Sequence, residues 1–126
     1  MSGRVKGVVQ DREKKLDLDI VNVPAAELNA MFDAITPDET IRREALEFKK
    51  RALRVTDVTD ESFVEAMRAH RAVRQIVARY GADAITIECL MLKHRKPCIS
   101  FAINNGDFLP SGCENHLDAT LTLALG

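Results

Sequence analysis

Four side chains able to bind a metal, move a proton or attack an electrophile fall within six residues of the C-terminal stretch SGCENHLDATLTLALG: Cys113, Glu114, His116 and Asp118. A carboxylate at the start of a helix is favoured as an anion by the free amides there, so Glu114 suits a hard divalent cation or a sugar hydroxyl. Asp118, four residues on, shares its helix face, whereas His116 points elsewhere, which makes a triad of all three on one ion sterically awkward. Ser111 and Glu114 also have the S-x-x-E spacing of a capping box, a structural use of the same carboxylate. A competing chemistry is nucleophilic, with Cys113 attacking and His94 or His116 as its base. Small buried thiols are the commoner case.

A second polar group closes the run CISFAIN. Asn104 and Asn105, followed by Gly106 and Asp107, are expected at the carboxyl end of a strand, as Glu88 and Cys89 are at the end of another. Ligands of open parallel sheets gather at that edge, so Asn104, Asn105 and Asp118 are candidates for touching substrate or orienting the Glu114 carboxylate. His70, a lone histidine beside an apolar stripe, is expected to be packed or at the surface, because a metal needs further partners. No Gly-rich phosphate loop follows a strand, which argues against a dinucleotide. Cys89, Cys98 and Cys113 form no CxxC pair and are odd in number, so neither a zinc site nor a disulfide framework is indicated.

The elements that must hold these residues read as alternating strands and helices. VKGVVQ and KLDLDIVNV come first, the second alternating Leu16, Leu18 and Ile20 with Asp17 and Asp19 like a strand with one wet face. PAAELNAMFDAI opens on Pro24, suited to a first helical turn, and carries Leu28, Met31, Phe32 and Ile35 on one side. In TPDETIRREALEFKKRAL, Thr36 and Glu39 suggest a cap, and Ile41, Ala45, Phe48 and Ala52 the buried stripe. A longer helix runs from a cap at Thr59 or Asp60 to Gly81, with Phe63, Ala66, Val73, Ile76, Val77 and Tyr80 inward. ADAITIEC and CISFAIN read as strands, the second buried on both faces, and a helix is expected from near Ser111. The order implies one α/β domain over residues 1–126: a three-layer, Rossmann-like arrangement with a mainly parallel sheet and helices on both faces.

Bulk properties exclude several roles. The 126 residues suit one domain, and 46% hydrophobic with 29% charged residues is a globular balance. A net charge of −1 from 18 basic and 19 acidic residues gives no long-range pull on nucleic acid or an anionic membrane. No apolar run approaches the roughly 18 residues needed to span a bilayer, and the N-terminus has no signal-peptide core, so the cytoplasm is expected.

The cluster YGADAITIECL, a basic turn, then PCISFAINNGDFLPSGCENHLDATLTLAL resembles the L-fucose isomerase and L-arabinose isomerase-like family, in which a buried strand and an Asn/Asp-Gly loop lead into a "CE-x-D" helix start. The likeness covers roughly residues 80 to 126; the preceding helices match only in order and length. It implies an aldose–ketose isomerase in which a divalent metal, usually Mn2+, holds adjacent sugar oxygens while carboxylates move a proton through an enediol. Glu114 looks like the glutamate that binds the metal and takes part in proton transfer. The family's other ligands, an aspartate further along and a late histidine, have no counterpart here, and the chain ends twelve residues beyond Glu114. One carboxylate cannot hold a catalytic cation against water, so the resemblance implies a piece of a longer isomerase, its middle Rossmann-like domain, inactive and metal-free alone. Its expected partners are a small sugar, the remaining domains of the same protein and, as is common in the family, further copies of itself. The alternative from the residues alone is a non-catalytic module for oligomer contacts or small-ligand binding, with Glu114 as a helix cap.

Overall fold

The computed structural model describes residues 19–88, 97–113, 120 and 122. Their elements are α1 (Ala25–Ala34), α2 (Glu39–Lys50), α3 (Asp60–Tyr80), β1 (Ile85–Ile87), α4 (Cys98–Gly106) and β2 (Ser111–Cys113).

Helix α3 is the centre of the structure, with α1, α2 and α4 all packed on it. Its apolar residues recur every three or four positions, and Phe63, Val64, Met67, Ala72, Val73 and Ile76 are all buried. Thr59 caps its start, its hydroxyl accepting from Ser62 N at 3.2 Å. Gly81 ends it in the left-handed conformation at φ 57°. There Ala82 N reaches Val77 O at 3.0 Å and Gly81 N reaches Ala78 O at 3.2 Å, the paired bonds of a Schellman turn.

The two shorter helices bring their expected faces except at Ala52, which lies beyond α2 and is exposed. Leu28, Met31, Phe32 and Ile35 of the α1 segment are buried, as are Ile41 and Ala45 of α2, while Phe48 is half-buried and meets the Phe63 ring at 6.3 Å. The cap of α2 differs from expectation. Asp38, not Thr36, takes the role, its carboxylate accepting from Ile41 N at 2.9 Å.

The three-layer Rossmann-like architecture is not what forms. The described chain is mostly helical, and its sheet has only two short strands, β1 and β2, in parallel. The main cause is CISFAIN, which is helix α4 rather than a central strand. A short apolar run does not declare its period, but burial does: Ser100, Phe101 and Asn104 are the inward positions, the one-and-three spacing of a helix face. Ser111 opens β2 instead of capping a helix. Of the expected N-terminal strands, VKGVVQ lies outside the described residues, and the described part of KLDLDIVNV, residues 19–23, forms no strand.

What survives is a compact β1–α4–β2 unit. Ile85 pairs with Ser111, Thr86 with Gly112 and Ile87 with Cys113, and the crossover helix packs on α3. Ile87, 1% exposed, joins this unit to the main core.

Candidate functional site

Because β1 and β2 run in parallel, their carboxyl ends share one edge, where Ile87 is paired with Cys113. Glu88 follows Ile87 there and is half-buried, and Cys113 is exposed. In sequence the next residue after β2 is Glu114. Glu114, His116 and Asp118, like Cys89 and His94, lie outside the described residues. Among the described residues no group of three or more His, Cys, Asp or Glu converges as a metal site would. The described residues alone do not make up a manganese centre.

The two asparagines are engaged inside the protein. Asn104 is fully buried, its amide oxygen accepting from Arg74 Nη1 at 3.4 Å and its amide nitrogen facing Ser100 Oγ at 3.5 Å. Its main-chain oxygen accepts from Leu109 N at 2.8 Å and so turns the chain out of α4. Asn105 makes two bonds to one residue: its Oδ1 accepts from Ser111 N at 2.9 Å and its Nδ2 donates to Ser111 O at 3.1 Å. The side chain thus acts as a one-residue strand against β2. Behind β2, Gly112 backs onto Thr120: a Cβ on Gly112 would fall on the Thr120 hydroxyl and lie 3.1 Å from its Cβ.

A polar cluster that the sequence did not announce lies between α3 and α4. His70 Nδ1 is 2.9 Å from Ser100 Oγ, and Ser100 is 1% exposed. His70 and Arg74 are four apart on α3; Ser100 and Asn104 are four apart on α4, so the two pairs face each other as rungs between helices. The pairing was readable only if CISFAIN was taken as a helix. Burial of the His70 ring, with Arg74 beside it, lowers its pKa below the usual 6.5; Asp107 and Glu44 oppose that shift. His70 is thus a packed histidine in contact with a buried hydroxyl.

Other polar contacts are fastenings. Arg68 donates from Nε to Ile35 O at 2.9 Å and from Nη2 to Phe32 O at 3.2 Å, closing the end of α1, while its guanidinium lies 4.5 Å from the Phe32 ring centre. Glu27 accepts from Arg79 at 2.7 Å and from the Tyr80 hydroxyl at 2.8 Å, tying the start of α1 to the end of α3. Comparison with protein-family profiles, curated proteins and solved structures finds no match to this chain.

Proposed function

We propose that this chain supplies the Glu114 carboxylate to an aldose–ketose isomerase-type site that it does not complete by itself. The observation that carries the reading is the parallel β1–α4–β2 unit. Its carboxyl edge ends at Cys113, directly before Glu114 in the sequence, and that is the edge at which parallel strands deliver functional side chains. The half-buried Glu88 follows the neighbouring strand at the same edge. The resemblance of residues 80 to 126 supplies the chemistry: a carboxylate takes the proton beside a sugar carbonyl and returns it to the adjacent carbon. Mn2+ would belong to the site once the remaining ligands were present. The exposed thiols Cys98 and Cys113, both free, accord with a reducing cytoplasm. Among the described residues no helix is long and apolar enough to cross a membrane.

The test is an isomerisation assay on the whole encoded protein with Mn2+ and a panel of aldoses. Conversion should be present and should fall at least about 100-fold in Glu114→Gln, with unfolding unchanged, as expected for loss of a general base. Retained conversion in the variant would reject the assignment, and an inactive parent would reject the isomerase reading.

The second reading, a non-catalytic module that binds further copies of itself, draws on one observation: Leu46, Leu53, Val55 and Val58 are exposed around the α2–α3 connection. Concentration-dependent association abolished by Leu53→Asp, in a chain with no sugar chemistry, would favour it.

A further inference from the structure

The polar cluster between α3 and α4 has a direction that can be worked out atom by atom. The Arg74 guanidinium can only donate, so the Asn104 atom facing it at 3.4 Å is its oxygen. That leaves the Asn104 amide nitrogen toward Ser100, where it donates to Oγ at 3.5 Å. Both links are long, and together they favour this orientation of the amide. The Ser100 proton must then go elsewhere, and 2.9 Å away lies His70 Nδ1. Among the described residues no other acceptor is bonded to that hydroxyl. With Ser100 donating across that contact, the chain of donation runs from Arg74 through Asn104 and Ser100 to a bare Nδ1, with the imidazole proton on Nε2.

We propose that this chain is an acid-sensitive latch holding the crossover helix α4 against α3. Nδ1 is the only ring position left for a second proton. When it is taken, the acceptor at the end of the chain becomes a donor, and the Ser100 proton loses its partner among the described residues. The groups around His70 are set against charging it: Arg74 and Arg71 on α3 oppose the positive ring, while Asp107 beyond α4 and Glu44 on α2 offset them in part. Opening α4 is what relieves the conflict, because in the opened state both the ring and the hydroxyl meet water. Since α4 joins β1 to β2, the latch bears on the alignment of that strand pair. The inference stands apart from the proposed sugar chemistry and needs no ligand.

Amide hydrogen exchange of the intact chain, corrected for intrinsic rates, is the test. Protection of the α4 amides should fall roughly tenfold more than that of α1 and α2 between about pH 7.5 and pH 5, the size expected for orphaning one buried hydroxyl. Ser100→Ala removes the proton that needs an acceptor, and His70→Asn puts an oxygen near Nδ1 that never titrates. Each should reduce the selective loss to less than about twofold, whatever its own baseline stability. Nitrogen chemical shifts of His70 at neutral pH should place the ring proton on Nε2. Uniform protection across pH in the wild type, an undiminished loss in both variants, or a neutral ring protonated on Nδ1 would each overturn the proposal.

Discussion

Single side chains in this protein replace what larger elements provide elsewhere. Arg68, with only 16% of its side chain exposed, serves two terminal carbonyls of the α1 segment and stacks on Phe32. A lysine has neither the fork nor the flat face, so Arg68→Lys should cost about 1–2 kcal/mol in urea unfolding. Gly112 is needed for a different reason, since Thr120 occupies the space of its missing side chain. Gly112→Ala should destabilise by about 1–3 kcal/mol as neighbours are pushed aside, with Thr120→Ser in the same chain recovering little because the hydroxyl remains. His70 gives the protein a signed pH dependence. Its pKa is lowered on folding, so the unfolded chain binds the proton first as pH falls. Stability should be level above the ordinary histidine value of 6.5 and decline below it, until the folded pKa is passed. The denaturation midpoint of Ser100→Ala, measured over the same range, should decline less steeply.

At the scale of elements, legibility followed periodicity and failed where the run was short. Helix α3 is 21 residues long, its buried stripe runs from Phe63 to Ile76 with the expected inward Tyr80 exposed, and its boundaries at Thr59 and Gly81 were readable from a cap and a glycine. α1 was readable for the same reason, through Leu28, Met31, Phe32 and Ile35. The nine residues of α4 carry too few turns to declare a helix, and the apolar composition of CISFAIN reads equally as a buried strand. Together with the strand expected at residues 19–23 and the helix expected from Ser111, that misreading turned a helical fold with a two-stranded sheet into a sheet with helices on both faces. It also hid the His70–Ser100 contact and put Asn104 and Asn105 at a ligand edge, when their side chains hold Arg74 and Ser111. The cap of α2 was misplaced by two residues because Thr36 and Asp38 are both competent, and only the bond to Ile41 N distinguishes them. Asp38→Ala should accordingly cost about 1 kcal/mol, while Thr36→Ala stays within about 0.5 kcal/mol; parallel thermal melts of the two variants decide between them.

Over the whole molecule, stability resides in the core that surrounds α3 rather than in the charges across it. Arg42 meets Glu61 at 3.2 Å, Lys49 meets Asp60 at 2.6 Å and Arg71 meets Glu44 at 3.4 Å, all between α2 and α3 and all substantially exposed. Such pairs are worth little and are screened, so raising salt to about 0.5 M should change the unfolding free energy by less than about 1 kcal/mol. Ile41→Ala, at a position with no exposure, should cost about 2–5 kcal/mol by the same measurement. The two bonds from Asn105 to Ser111 have a further consequence for how the chain can be altered. They close the segment between α4 and β2 on itself, so the position of β2 is set at the base of the loop and not by its length. At its tip, Phe108 is 94% exposed and sits at φ 62°, contributing almost nothing to the interior. The tip is therefore a natural insertion point: a peptide tag grafted beside Phe108 would be displayed to solvent, with the strands beneath it keeping their register.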